Sequence, residues 1–425
     1  MLAASKGGRF ILPGPGPHPL VSSMDPAMTD AVAPPPQAIE TGSPVTFTGV
    51  RGDFRRLVMR GALLELLTLG FYRFWLATDM RRHLWSHTSV GGDAPEYTGT
   101  AKELLIGFLI ALAILAPVYL AYFFIGIEAE LYRAFASVPL VLFFYLFYQF
   151  AMYRSRRYRL SRTIWRGVRF WMKGSGWSYA WRAGLWMLLV GVTAGLALPW
   201  CQAALERYKM GNSFYGDLAG RFEGTGWSLF KRVWSMWLAF LLVIGFIAAL
   251  GSTAPGAAGL LVLIAVVLAP IIYAVYKAIE WEWWVSGIRF GDVRFESKLT
   301  PGAFLGLYWK VIGWSWLILL VLMLWFGGVV FVAYSLIGPK VSGAEAIAMT
   351  MQNASILIAL ALGYIAAALA FGMVVRLYLR RDVWARVVGS TAVYNLAAAD
   401  NVAARGDMVN ALGEGFSDGL DIGGF

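Results

Sequence analysis

Apolar runs long enough to cross a bilayer dominate what this chain can fold into. Residues 104–126, 233–250, 259–275, 305–336 and 354–378 each approach or exceed the roughly 17–25 apolar residues that a spanning helix needs. Only 14% of the 425 residues are charged, where a soluble domain has about 25%. The alternating segments of about ten residues that build an outer-membrane barrel are missing. An all-α polytopic membrane protein is the fold class these runs predict.

The cations assign sides. Of the 36 Lys and Arg, 32 fall in residues 45–103, 153–182, 204–232, 277–310 and 376–405, whereas the connections 127–137, 252–258 and 338–353 contribute only Arg133 and Lys340. The positive-inside rule places the basic group on the cytoplasmic face. That map holds only if two further apolar segments, residues 57–80 and 184–203, enter and leave on the same face. The first carries Arg60, Glu65, Arg73 and Asp79, each costing about 2.5–3.5 kcal/mol at a bilayer centre. Three transmembrane helical hairpins (104–126 with 138–153, 233–250 with 259–275, 305–336 with 354–378) plus two broken or re-entrant helices are therefore expected. Eight ordinary spans are the alternative.

Short β-prone segments punctuate the basic regions. In residues 286–297, Gly291-Asp292 separates Ile288-Arg289-Phe290 from Val293-Arg294-Phe295, the two-residue signal of a type II′ hairpin. Residues 87–99, 213–224 and, more loosely, 163–174 repeat the device, and Phe47-Thr48-Gly49 supplies its last beat. These read as small cytoplasmic β-hairpin inserts. The break at Leu198-Pro199-Trp200, set against Leu69-Gly70-Phe71, suggests a duplicated unit. The division that follows is a disordered N-terminal tail at 1–44, a first membrane repeat at 45–175, a second with an extra helical hairpin at 176–394, and a flexible Gly/Asp-rich tail at 395–425. No targeting peptide is read in the Pro- and Gly-rich start.

Four of these pieces together resemble a known family. Phe47-Thr48-Gly49, then Leu67-Thr68-Leu69-Gly70-Phe71-Tyr72-Arg73-Phe74-Trp75, then Met80-Arg81-Arg82-His83, and finally Gly91-Gly92 with Tyr97-Thr98-Gly99 are similar to the motifs of the YjgN-like bacterial inner-membrane proteins, a domain of unknown function. The likeness is densest over residues 45–110 and extends to about residue 390. It implies a multi-pass protein of the bacterial inner membrane with both tails cytoplasmic, and a structural role for Gly70, Tyr72, Trp75, Gly92, Tyr97 and Gly99. It implies no activity.

The residues themselves offer little catalytic chemistry. No phosphate-binding GxxxxGK[ST] loop occurs. Cys201 stands alone, which excludes a disulfide or a cysteine-based metal site. Asp79, His83 and His87 share one helix face at i, i+4, i+8, a weak metal-ligand spacing beside Arg81 and Arg82 that repel a cation. No metal and no cofactor is implied.

Ionisable residues at membrane depth are the better lead, because their cost is met where they pair or line a path. Glu65, Arg73, Lys277, Glu280 and Glu282 are the candidates for a solute or ion path. The acid-free run Arg154, Arg156, Arg157, Arg159, Arg162, Arg166, Arg169 and Lys173 fits anionic lipid headgroups, with no nucleic acid as partner. A transport or permeation protein for a small solute or lipid is the first functional expectation. A non-catalytic, membrane-organising or lipid-interacting protein is the second, and an embedded enzyme comes third for want of a catalytic constellation.

Overall fold

The structure, a computed structural model, describes residues 42–128, 133–337 and 353–409. The expected tails up to residue 41 and beyond residue 409, with residues 129–132 and 338–352 of the connections 127–137 and 338–353, lie outside the described residues. The chain alternates short strands with helical pairs. The first stretch is β1 (Ser43–Phe47), α1 (Arg51–Leu67), α2 (Arg73–Ser86) and β2 (Thr88–Val90). The second is β3 (Glu96–Tyr97), α3 (Ala101–Glu128), α4 (Arg133–Ser161) and β4 (Thr163–Trp165). Next come β5 (Val168–Met172), α5 (Gly176–Val192), α6 (Leu198–Gly211) and β6 (Ser213–Tyr215). After them run β7 (Leu218–Phe222), α7 (Gly226–Thr253), α8 (Pro255–Gly287) and β8 (Ile288–Phe290). The last is β9 (Val293–Ser297), α9 (Leu305–Ile337), α10 (Ala354–Val374), a π-helical stretch (Val375–Asp382), α11 (Val383–Gly389) and β10 (Thr391–Tyr394). One strand, two helices, one strand: this unit occurs five times.

The all-α expectation is corrected here. Ten strands form one antiparallel sheet in the order β2-β1-β10-β9-β8-β7-β6-β5-β4-β3. Every pair of neighbours is consecutive in the chain except β1 with β10, which join the chain's two ends in register Ser43↔Val393. Laid flat, ten strands span about 43 Å, yet the edge strands β2 and β3 are separated by five residues that reach about 21 Å at most. The sheet must therefore curl toward a ring, and a bridge between Val90 and Asp93 marks its seam. The expected hairpin inserts at 163–174, 213–224 and 286–297 are parts of this one sheet, whereas 87–99 is corrected: its strands β2 and β3 pair with β1 and β4 and not with each other. Gly216 and Gly291 take the positive φ (53° each) that opens a type II′ turn, while Arg166 and Gly167 (46° and 75°) make the I′ alternative.

Alternation along the strands fills the ring. Val293 and Phe295 point inward while Arg294 and Glu296 are exposed, and Val45, Trp165, Phe170, Tyr215, Leu218 and Phe290 join them in one apolar cluster. The aromatic-x-Gly motif sits where strands β1, β3 and β7 give way to helices. The rings of Phe47, Tyr97 and Phe222 fold over Gly49, Gly99 and Gly224, where a Cβ would stand 2.5 Å from ring carbon. Ser175 and Thr225 then cap α5 and α7 by accepting from Ser178 N and Ser228 N.

Helical pairs of two lengths hang from the strands. Among the described residues, five helical stretches are long and apolar enough to cross a membrane: 101–124, 226–253, 255–287, 305–335 and 354–389. At most 17% of each apolar window is buried within the protein, so the exposed Leu, Ile, Val and Phe need lipid beside them. The pairs α1/α2 and α5/α6 are shorter, with arms of 14 or 17 residues, about 21–25 Å against a core of about 30 Å. Both turn through the same backbone. Leu69-Gly70 and Ala194-Gly195 have positive φ, and Gly70 N and Gly195 N bond to the carbonyls of Glu65 and Val190. Thr68 and Thr193 each accept from the amide four residues on. The turn at Thr193-Ala194-Gly195, not the break at Leu198-Pro199-Trp200, is therefore the counterpart of Thr68-Leu69-Gly70, and Pro199 lies inside the first turn of α6.

The returning helices α2, α4, α6, α8 and α11 touch one another and prolong the ring of strands. Trp85 on α2 stacks on Trp384 of α11 at 5.2 Å, Phe74 on α2 packs with Tyr158 of α4, and Val285 on α8 meets Val383 and Val387 of α11.

Candidate functional site

The inner helices carry the polar groups of the molecule, and most of them are matched within the protein. Arg156 on α4 reaches Glu206 of α6 at 3.4 Å and lies 5.9 Å over the Trp284 ring of α8. Glu206 also pairs with Lys209 one turn on. Burial works against the Glu206 charge, yet Lys209 and Arg156 hold its pKa below the usual carboxylate range. Deeper, Gln202 donates to Glu280 Oε1 and Tyr276 Oη at 2.7 Å each, and Lys277 holds the second oxygen of Glu280 at 2.5 Å. Glu282 pairs with Arg232 of α7.

The first helical pair shows the same economy. Glu65 receives both guanidinium nitrogens of Arg376, at 2.8 and 3.2 Å, from the π-helical stretch. Arg73 lies 4.9 and 4.8 Å over the rings of Phe74 and Phe108. A charge lining a solute path has to face that path; Glu65, Arg73, Lys277, Glu280 and Glu282 face protein partners.

The acid-free run behaves likewise. Arg162, 5% exposed, is held in a two-pronged pair by Glu103 at 2.8 and 3.1 Å, and Tyr158 donates to the same carboxylate at 2.6 Å. Arg159 is buried, and Arg154 lies over Phe150. Arg157 is half-buried. Arg169 donates to the Ser161 carbonyl, and Arg166 bridges Asp93 and Asp400. Among the described residues, Lys173 alone of the eight is both exposed and clear of a carboxylate, resting 4.7 Å over Phe214. The signal for the missed partners was present. Gln202, Glu206 and Lys209 share one face of α6 at i, i+4, i+7, and Thr100-x-x-Glu103 is a capping box that places its Glu at the foot of α3.

A different set of cations faces outward. Each helix leaving the sheet bears an exposed one within its first ten residues: Arg55, Arg56 and Arg60 on α1, Lys102 on α3, Arg182 on α5, Lys231 on α7 and Lys310 on α9. Exposed apolar surface follows on the same helices, with Leu63, Leu66 and Leu67 on α1 and Leu185, Leu188 and Val192 on α5.

Inside the ring of strands lies a chamber of about 200 Å³ lined by apolar and aromatic groups, among them Trp165, Phe170, Tyr215 and Phe290. Residues after β10, read from composition as the start of a flexible tail, close its turn end. Leu396 and Ala399 enter the apolar cluster, Arg166 holds Asp400 at 2.6 Å, and Ala403 N donates to Asp217 at 3.1 Å.

The histidine spacing brings no metal set together. His83 and His87 stack at 4.2 Å, and His87 Nδ1 lies 2.7 Å from the His83 carbonyl. Asp79 lines a separate hollow with Arg56, Arg60 and Tyr72. Among the described residues no group of three His, Cys, Asp or Glu converges. The six motif residues take structural places. Gly70 and Gly92 adopt φ of 92° and 95°, Tyr72 stacks on Trp75 at 6.1 Å, and Tyr97, over Gly99, accepts from Arg81 at 3.4 Å.

A curled ten-stranded sheet crowned by helical pairs, several long and apolar enough to cross a bilayer, defines a membrane protein of mixed α and β construction. The chain belongs to DUF898, a family of bacterial proteins of unknown function, whose model matches residues 42–419. No curated protein and no solved structure matches it.

Proposed function

We propose that this is a lipid-interacting protein of the bacterial inner membrane, its strands and basic helix ends on the cytoplasmic face, whose exposed collar of cations binds anionic headgroups. One observation carries the reading. All five outward helices place exposed cations within their first ten residues, at one level just above the sheet and below the exposed apolar surface. Anionic headgroups are the complement of such a collar, each basic residue near their surface being worth about 1 kcal/mol. Transport is the weaker reading, because the charges it would use as lining are engaged with Arg376, Gln202, Arg232 and aromatic faces.

The test is lipid selection. Reconstituted in mixed phosphatidylglycerol and phosphatidylcholine, the protein is expected to enrich phosphatidylglycerol in its first lipid shell, read by quenching with brominated lipid. Charge reversal at Arg60, Lys102, Arg182 and Lys231 is expected to abolish the enrichment, and added salt to weaken it. Equal quenching by both lipids would overturn the proposal.

A further inference from the structure

Helices α1, α9 and α10 with its π-helical continuation leave between them a groove of about 510 Å³. We infer that it holds one bilayer glycerophospholipid with an anionic headgroup, an assignment that rests on the lipid-interacting reading above. The groove is graded in polarity, and its three walls agree on the direction. On α1 the lining runs from Arg51 and Arg55 to Val58 and Met59; on α9, from Trp314 to Ile318; on the third wall, taken from the sheet outward, from Tyr378 through Met373 to Ala370. The sheet end presents guanidinium, indole N–H and phenol. About 12 Å further along α1 the lining is aliphatic. That is the order of a lipid's head and tail, with the head at the basic level.

The head end is built and charged. Arg51 is fixed by Asp382 at 3.0 Å and stands 4.8 Å over Tyr378, whose hydroxyl accepts from Trp314 Nε1 at 3.3 Å. One turn on, the exposed Arg55 has no ion-pair partner among the described residues. Lys310, four residues before Trp314 on α9 and so on the same face, adds a second exposed cation. Asp382 is occupied by Arg51 and Arg381, which leaves a net positive mouth for a phosphodiester whose head group carries no cation of its own. At the deep end Met59 and Met373 are unbranched and adaptable, suited to an acyl chain. The side stays open because α1 has 17 residues where α9 has 33.

The experiment counts tightly held lipid. Protein reconstituted in phosphatidylglycerol and phosphatidylcholine is extracted in mild detergent, washed, and its retained lipid measured by mass spectrometry. Wild type is expected to keep one phosphatidylglycerol per chain. Met59→Trp and Ala370→Trp, which fill the deep end from facing walls, are expected to lose it at least tenfold while eluting and melting as wild type does. Arg55→Glu is expected to equalise retention of the two lipids, whereas Arg207→Glu, at an exposed position on α6 away from the groove, leaves the retained lipid in place. Wild-type retention in both folded Trp variants, or no retained lipid in wild type, would overturn the site. The two ideas fail separately: first-shell enrichment without a retained lipid removes the groove alone, and a retained lipid without enrichment removes the collar alone.

Discussion

At the scale of single residues, the apolar faces hide a polar interior whose charges are matched in pairs. His83 is an exception that makes the packing testable. Burial, with His87 and Arg381 nearby, holds its pKa below the ordinary histidine value, and its Nε2 is buried without a hydrogen-bond partner among the described residues. A histidine lowered in the folded state favours the neutral ring. Its contribution is present above the unfolded value of about 6.5 and is lost as pH falls below it. Melting temperature is therefore expected to drop between pH 7.5 and 5.5, and His83→Gln, which cannot titrate, to flatten that drop. An unchanged pH slope in the variant would place the acid-sensitive group elsewhere. Pairing is the kind of fact that spacing conceals. Glu280 with Lys277 was readable at one turn's distance, but Gln202, 78 positions away in sequence, was not.

At the scale of elements, the hairpin turns were legible and the sheet was not. Gly291-Asp292 and the segment at 213–224 announce themselves by turn chemistry that survives in strands of three to five residues. Strands β2, β3 and β10 carry two to four residues each, too few for alternation to register, and their partners lie dozens of residues away. The plug after β10 was invisible for a related reason: a run of Ala, Asp and Asn gives no apolar period, and Leu396 and Ala399 gain meaning only from the chamber they enter. Leu396→Asp puts a charge into that apolar lining, a cost met by expelling the segment. Hydrogen exchange is expected to lose its protection over residues 396–403 while the strands keep theirs. Retained protection there would show that the segment is not seated by Leu396.

At the scale of the whole molecule, the apolar runs and the clustering of cations announced a membrane protein. What no run could show is that helices leave and return to adjacent strands of a single curled sheet, because that is fixed by pairings between regions separated by entire helical pairs, such as Tyr97 with Thr163 and Phe222 with Ile288. The consequence is topological. Strands in one ring with one end at the helices must present all their turns to the same side of the membrane, whichever pair, short or long, lies between them. Ala94, Ala219 and Asp292 are exposed at or beside three such turns, and the native Cys201 is buried. Single cysteines at these three positions, treated with a membrane-impermeant thiol reagent on intact cells and then on inverted vesicles, test this directly. All three are expected to stay unlabelled in cells and to label together in inverted vesicles; labelling of Ala219→Cys from the opposite side to Asp292→Cys would contradict the ring.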